Sequence, residues 1–458
     1  MKNSVTFVPT VRASLLVCCS TVVLLTACGG ASDISGTGQT QTAALSYSNE
    51  STDSGTSAAG ADDSQIATSN ENAEQSTTMT GAAPSDLSSN DNQIRLLAMS
   101  ASISVDASPT ATSASKNLYV ATTGSDSNPG TQAAPVKTIA RADALASPGY
   151  TIHVAAGTYR VTAPSLGNVG ILTKKSGTST ARIKFVSDVK WGAKLLVSGT
   201  GITWDSRGNY VDIDGFDISG TGRHGILAGG SNLTITNNSI HDLTISGGCN
   251  GSGGAAIDTY GPVGNILIDR NVVKNIGYKM IGSCNTVQGI YIANAYNLVT
   301  NNIVSGVAAV AIQQWHGATA STIVNNTVFH SKEGILLGQG DAGATSSGSQ
   351  NNYVANNIVY DNTTYGIIEG GKVGGNNRYA NNLVASSGTN WRVKGAVTGS
   401  ISSNPLFVNY QANGSGDYRV TSSSPAIDRG TSVSAPKIDM ALVSRPRGAT
   451  VDVGAYEF

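Results

Sequence analysis

Side chains able to form hydrogen bonds or to take part in proton transfer recur at one position of a repeated phrase. The phrase reads HGILAG, AAIDTY, QGIYIA, VAIQQW, EGILLG and YGIIEG, and it carries Asp258, Tyr291 and Gln313 at equivalent positions. Tyr260 and Trp315 follow two residues later in their own repeats, where the outer repeats carry glycine. Carboxyl, phenol and amide groups bond hydroxyls, and aromatic rings pack on apolar faces. This file of side chains predicts a groove for an extended sugar chain.

β-Elimination on a uronic acid is the reaction that suits these residue types. It needs a partner that neutralises the carboxylate, a base for the C5 proton and an acid for the leaving oxygen. Lys279, Tyr291 or His316 could be the base, and Asp258 could hold a calcium ion, although calcium prefers six to eight oxygen ligands. The predicted catalytic residues are thus Asp258, Tyr291, Lys279 and His316, and the predicted substrate-binding residues are Tyr260, Gln313, Trp315 and Asn294.

Each of these side chains also has a purely structural interpretation. An aromatic residue on an exposed strand often packs under a loop, and a loop lysine is usually a solvated charge. A single histidine, whether His224, His241, His316 or His330, is more often a satisfied turn or surface residue. Asp258 is the stronger candidate, because a lone carboxylate on an otherwise neutral strand face needs a reason to be there.

Short strands in a repeat of variable length must position these residues. A second phrase, seen as NLTITNNSIHDL and NLVTNNIVSGV, returns with an asparagine at intervals of 33, 31, 24, 31 and 25 residues by subtraction of residue numbers. Strict strand phrases with variable spacing predict a solenoid of stacked coils whose turns absorb the insertions. The recurring asparagines are Asn238, Asn271, Asn302, Asn326, Asn357 and Asn382.

Stacking places equivalent residues of successive coils next to each other. We expect each asparagine to bond the backbone and the amide of the next coil, roughly 4.8 Å away, so that buried turn groups are paired. Because parallel crossovers are right-handed, the pattern predicts an all-β, right-handed parallel β-helix of nine or ten coils, with at least two strands each, from about Tyr150 to Asn404. One inward column is predicted to contain Ile226, Ile257, Ile290, Ile312, Ile335 and Ile367.

The ends of such a solenoid need covers, because open coils expose their core. Before the coils, PVKTIARADALASPG predicts a helix that plugs the N-terminal end. Its inward residues are predicted from their spacing to be Val136, Ile139, Ala140 and Leu145. After the coils, five charged residues of the tail are expected to form turn and cap bonds, namely Asp428, Asp439, Arg445, Asp452 and Glu457.

Two long loops before the middle strands each carry one cysteine. TISGGCNGSGG contains Cys249, and GYKMIGSCNT contains Cys284. These are the two thiols that remain after the leader, and in an oxidising compartment they predict one disulfide beside the groove. A third long loop, QGDAGATSSGSQ, could close the far side of the groove.

The first residues read as an export signal. ASLLVCCSTVVLLTAC is apolar but too short to cross a bilayer, and Leu25 to Cys28 resembles the lipobox of bacterial lipoproteins. That resemblance implies cleavage before Cys28, acylation of its thiol and a lipid-anchored protein at the cell envelope, leaning toward the outer membrane; ordinary secretion is the alternative. The predicted organisation is a signal peptide (1–27), a disordered tether rich in Ser, Thr and Ala (28–115), the β-helix (116–404) and a C-terminal capping segment (405–458).

The composition of the chain limits the classes of partner that we expect it to bind. Charged residues make up 12% of the chain and the formal net charge is -1, which excludes nucleic acid as an expected partner and limits membrane contact to the lipid anchor. No phosphate-binding glycine loop occurs at a strand–helix junction. We expect a monomer that binds polysaccharide.

The stretch YVATTGSDSNPGTQAAPVKTIARADALASPGY, the coils and the tail NPLFVN to VDVGAYEF resemble bacterial right-handed β-helix proteins over residues 117–458. Many of these are polysaccharide lyases of the pectate lyase kind, so the resemblance implies a polysaccharide lyase. The chain lacks the clustered acidic residues of calcium-dependent pectate lyases, the neighbouring aspartates of β-helix glycoside hydrolases and the RxxH strand of alginate and chondroitin lyases. The leading hypothesis is a surface-anchored lyase acting on a uronic-acid polymer; the alternatives are a non-catalytic polysaccharide-binding lipoprotein or a glycoside hydrolase.

Overall fold

The computed structural model describes residues 116–260, 264–277 and 284–458. The predicted signal peptide, tether and acylated Cys28 lie outside the described residues, as does Lys279. Among the residues that are described, no helix has the length and apolar character needed to cross a membrane.

Parallel strands wound into coils make up most of the described chain. Strand β1 (Lys116–Val120) and helix α1 (Ile139–Leu145) come first. Each coil that follows has three strands, and the first, second and third strands of all coils form sheets 1, 2 and 3, respectively. The strands, coil by coil, are β2 (Tyr150–Val154), β3 (Gly157–Ala163) and β4 (Val169–Thr173); β5 (Ile183–Ser187), β6 (Ala193–Gly199) and β7 (Ile202–Ser206); β8 (Val211–Asp214), β9 (Asp217–Gly222) and β10 (His224–Ala228); β11 (Thr234–Thr236), β12 (Ser239–Ile245) and β13 (Gly254–Asp258); β14 (Leu267–Asp269), β15 (Val272–Ile276) and β16 (Val287–Ile292); β17 (Leu298–Thr300), β18 (Ile303–Val307) and β19 (Val310–Gln314); β20 (Thr322–Val324), β21 (Thr327–Phe329) and β22 (Glu333–Gln339); β23 (Tyr353–Ala355), β24 (Ile358–Tyr360) and β25 (Tyr365–Gly371); β26 (Arg378–Ala380), β27 (Leu383–Ala385) and β28 (Thr389–Arg392).

Nine coils of three strands are therefore present in the described residues, one strand more per coil than the minimum expected. Strand β29 (Ala396–Thr398) extends sheet 1, and an antiparallel pair follows, β30 (Phe407–Asn409) with β31 (Asp417–Val420). The right-handed parallel β-helix predicted from the repeat is confirmed.

The core of the helix is a set of inward columns. The predicted isoleucine column is confirmed, because Ile226 pairs with Ile257 in register and each later member pairs with the next. All six side chains are fully buried. Trp204 and Trp391 continue the column at its two ends. Outward residues of the same strands are thereby held on one face of sheet 3.

The turn between sheets 1 and 2 contains the predicted asparagine ladder. Each amide except that of Asn382, the last, donates to the side-chain oxygen of the asparagine one coil further on, at 2.9–3.1 Å, and the same oxygen also accepts the backbone N–H of the earlier asparagine. The residue just before each ladder position has φ between 52° and 56°, a left-handed conformation that asparagine tolerates. Five of these six residues are asparagine and the sixth is Arg270, which explains the recurring Asn-Asn pairs.

Helix α1 lies against the first coil, and one predicted inward residue is wrong. Thr138 caps the helix by accepting the N–H of Arg141, so the helix begins at Ile139. From that start Ile139 and Ala142 face inward, whereas Ala140 is exposed. The buried carboxylate of Asp143 accepts two backbone N–H groups of the loop after β4 and fixes the helix to that coil.

The C-terminal segment runs along the flank of the coils, over the asparagine turn. Amides of that turn donate to its backbone carbonyls: Asn381 to Arg429, Asn356 to Thr431, Asn325 to Asp452 and Asn301 to Ile438, at 2.8–3.0 Å. The predicted turn bonds of the tail are present, since both carboxylate oxygens of Asp452 accept backbone N–H groups. A role for this segment in covering the last coil stays a prediction.

Candidate functional site

A cleft of about 340 Å³ lies on the outer face of sheet 3. Its floor includes Tyr291 and Gln313, which stand beside each other in register on β16 and β19, with Leu336 on β22 next in the file. A parallel file of Gln288, Val310 and Glu333 completes the floor. The middle repeats singled out in the sequence therefore meet at one surface.

An aromatic group forms one end of this site. The ring of His316 meets Tyr291 edge-on at a centroid distance of 5.6 Å and Tyr260 at 6.1 Å. Tyr260 is 57% exposed, whereas Tyr291 is half-buried. Three of the predicted residues, distant along the chain, are thus brought into direct contact.

Asp258 lies behind Tyr291 on the neighbouring strand and is only 5% exposed. One carboxyl oxygen accepts the backbone N–H of Tyr260 at 2.9 Å, and the other is 3.3 Å from Nδ1 of His224. Burial raises the pKa of Asp258 to about 7 and lowers the pKa of His224 to about 3. Near pH 7 the imidazole of His224 is therefore neutral, and Asp258 keeps its proton in about half of the molecules. His224 is a buried strand residue, not the turn or surface residue expected from the sequence.

Burial sets the protonation states of Tyr291, which lines the cleft, and of the adjacent His316. Burial raises the pKa of the Tyr291 phenol, and the nearby Asp258 and Asp341 carboxylates raise it further. Burial also lowers the pKa of His316, against the opposing effect of Asp341. At neutral pH the phenol keeps its proton and the imidazole is neutral.

Trp315 forms a side wall held in one position by glycines. Its indole N–H donates to Asp341 at 3.0 Å. A Cβ atom added at Gly340 would lie 2.3 Å from the ring, and one at Gly338 or Gly371 would lie 2.8 or 2.6 Å away. The three glycines therefore let the backbone pack against one side of the indole. Asp341 was missed by sequence reasoning, although its loop was recognised as a wall; a lone acid in that loop was the available signal.

The opposite wall of the cleft is formed by the two cysteine loops, which a disulfide joins. The predicted pairing of Cys249 with Cys284 is confirmed, with an S–S distance of 2.09 Å. The carbonyl of Cys249 also accepts the backbone N–H groups of Asn285 and Thr286, both at 3.1 Å. Cys284, Asn285 and Thr286 line the cleft, so the two cysteine loops act as one unit there.

The predicted binding residue Asn294 is buried in a hydrogen-bonded turn. Asn294 is 7% exposed, and its amide oxygen accepts from Thr259 at 3.1 Å and from Asn297 at 2.6 Å. These bonds belong to a turn beside the site, and we give Asn294 no contact with ligand. The predicted base Lys279 lies outside the described residues.

Calcium does not fit the donors that the site offers. The described residues contain no group of three His, Cys, Asp or Glu side chains able to hold a metal ion. Asp258 has one oxygen committed to a backbone N–H and the other beside His224. Since calcium takes six to eight oxygens, we derive no step through it.

Fold and cleft together define a right-handed parallel β-helix with an aromatic and polar cleft on one outer face. Residues 200–411 match a family model described as right handed beta helix region, and residues 122–165 match one described as a protein of unknown function (DUF1565). A search of curated proteins found no match.

Solved structures with the same fold include two lyases. A pectate lyase, Pel9A, aligns with a TM-score of 0.54 at 17% identity, covering 75% of this chain and 96% of that one. A rhamnogalacturonan lyase aligns with a TM-score of 0.50 at 16% identity, covering 68% and 96%. Identities this low establish the fold alone.

Proposed function

We propose that this protein cleaves a uronic-acid-containing polysaccharide by β-elimination in the cleft of sheet 3. The observation that carries the proposal is the contact between a neutral imidazole, His316, and a protonated phenol, Tyr291, at the rim of that cleft. The lyases with the same fold support the choice of reaction class by analogy only.

In this mechanism His316 takes the C5 proton of the bound uronate. The electron pair of the C5–H bond forms the C4–C5 double bond, the bond from C4 to the glycosidic oxygen breaks, and Tyr291 protonates that oxygen. The imidazolium then returns a proton to the phenolate. The amide of Gln313 on the cleft floor bonds the uronate carboxylate, and the raised pKa of the buried Asp258 reduces the negative charge that this residue carries at neutral pH.

The test is turnover on a panel of uronate polymers, followed by the absorbance of unsaturated ends. The wild-type chain should produce them from at least one polymer with or without chelator, because the proposed mechanism assigns no step to a metal. His316→Ala should lower the rate by about 100-fold or more. His153→Ala on sheet 1 is the matched control and should leave the rate unchanged. Full activity of the His316 variant would remove the proposed base.

A second candidate function is binding without cleavage. Tyr260 is 57% exposed and Trp315 presents a fixed indole, and both suit stacking on sugar rings. Retention of the protein on immobilised polysaccharide, with no new ends from any polymer, would favour this candidate. New reducing ends without unsaturated products would instead indicate a glycoside hydrolase.

We infer that the domain works outside the cytoplasm, held to a membrane through the acylated Cys28. The leader sequence supports this localisation, and so does a disulfide, which persists in oxidising compartments. Cys28→Ser should release the protein from the membrane fraction. Release of the unchanged chain in the same fractionation would contradict the anchor.

A further inference from the structure

Lys332 lies at the end of the cleft away from His316, just before β22. Its ammonium group donates to the carbonyl of Cys284 at 2.8 Å and to the side-chain oxygen of Asn285 at 2.6 Å. Both acceptors belong to the wall attached by the disulfide with Cys249. These bonds use two of the three N–H groups of the lysine and fix its position, which leaves one N–H for a ligand.

Lys332 differs in charge from the other residues that line the cleft. Of the described residues that line it, Lys332 is the one cation, whereas Glu333 and Asp341 are acidic. Oxygen Oε2 of Glu333 is buried without a hydrogen-bond partner. A ligand carboxylate is repelled by the acidic groups and attracted by the ammonium, so Lys332 marks where such a group is best accommodated.

The lysine is too far from the reacting centre to bind the same sugar unit. Lys332 precedes Leu336 by four residues, and Leu336 is in register with Gln313 and, through it, with Tyr291. At roughly 3.3 Å per strand residue, the separation along the strands is about 13 Å. Apart from Glu333, which is next to Lys332, the floor between them is neutral, with Gln313, Val310 and Leu336.

We propose that Lys332, held by the disulfide-linked wall, forms a subsite for the free carboxylate of a second uronate in the bound chain. This rests on the proposed function and deepens it, because it requires a substrate with an unesterified acid group beyond the sugar that reacts. Lys332 is a specificity-determining residue and takes no part in proton transfer.

Binding to two probes tests the subsite on the full chain. The probes are a uronic-acid oligosaccharide with free carboxylates and its fully methyl-esterified form, titrated by calorimetry. The wild type should prefer the free acid. Lys332→Met should bind the free acid about tenfold more weakly and the ester unchanged, because only a charge-assisted hydrogen bond is lost. Lys332→Arg should keep the preference, and Lys194→Met, an exposed lysine on β6, is the control.

Equal losses for both probes, or no loss for the free acid, would overturn the subsite. Should Lys332→Met fail to fold, the wild type decides: no preference for the free acid contradicts the proposal. A Lys332-dependent preference without any unsaturated product would refute the elimination reaction and keep the subsite. If turnover is changed neither by esterification of the second uronate nor by the Lys332 substitution, the subsite is refuted and the elimination reaction is retained.

Discussion

The asparagine turn between sheets 1 and 2 and the outer face of sheet 3 are both files of polar side chains, one per coil. In the turn the same residue returns, fully buried, and each amide is bonded to the next. On sheet 3 the residue type changes from coil to coil, passing from Asp258 through Tyr291 and Gln313 to Leu336.

This difference separates a stabilising file from a candidate site. A repeated amide satisfies itself by translation along the axis, so its polar groups are paired and its role is structural. The changing file cannot do so. The outer face of sheet 3 has buried atoms without a hydrogen-bond partner, such as Nδ1 of His224 and Oε2 of Glu333, and both of these groups have shifted pKa values.

Breaking the ladder should have the largest effect on stability. The side-chain oxygen of Asn302 accepts the N–H and amide of Asn271, and its own amide donates to Asn326 and to the carbonyl of Ile268. Asn302→Ala leaves these buried groups unpaired, and we expect a loss of about 4 kcal/mol in the free energy of unfolding. Urea denaturation measures it.

Asn409→Ala is the matched control, since its exposed side-chain oxygen accepts only from the amide of Gln411 at 3.1 Å among the hydrogen bonds of the described residues. It should change the free energy of unfolding by less than about 0.5 kcal/mol. Equal effects of the two substitutions would mean that the buried ladder is not what stabilises the coils.

The C-terminal segment should reinforce the asparagine turn and leave the cleft alone. Arg445 and Glu457 form a fully buried ion pair at 2.7 Å, and the guanidinium also reaches the side chain of Asn301. Glu457→Gln leaves a buried charge without its partner, and we expect a loss of about 3 kcal/mol. Asp417→Asn, which breaks an exposed pair with Arg419, should be neutral. A Glu457 variant with normal stability but impaired sugar binding would contradict this division.

The regular part of the molecule could be predicted from the sequence and the irregular part could not. The ladder and the isoleucine column follow from period and spacing, and Cys249 had one described partner available, Cys284. The position of Ala140 failed because it depended on where the helix begins. Asp341 was missed, and His224 was expected at a turn or on the surface, because their neighbours come from loops and from an adjacent coil, which no local pattern specifies.

Asp258 and His224, the buried pair next to Tyr291, should have opposite effects on the pH dependence of stability. The folded pKa of Asp258, about 7, exceeds its ordinary 3.8, so the folded state keeps a proton that the unfolded state loses. Its effect lowers stability as pH rises from about 4 to 7. The folded pKa of His224, about 3, lies below its ordinary 6.5, so its effect raises stability as pH rises from about 3 to 6.5. In wild type the two slopes oppose each other.

Single substitutions should uncover each slope. Between pH 4.5 and 6.5, Asp258→Asn should become more stable with rising pH, and His224→Gln less stable, by about 2 kcal/mol in each case. Denaturation at the two pH values measures both. Slopes of the same sign in the two variants would contradict the assigned protonation states.

The smallest effect is expected at the glycine beside Trp315, and it touches the cleft alone. A Cβ at Gly340 would lie 2.3 Å from the indole, so Gly340→Ala must displace the ring from the wall. We expect about threefold to tenfold weaker binding of a sugar chain, the range for one aromatic contact, with little change in unfolding. Gly375→Ala is the control, because nothing lies within 4 Å of its added carbon. Unchanged affinity in the Gly340 variant would mean that Trp315 does not contact the sugar. The wall would then have a structural role only.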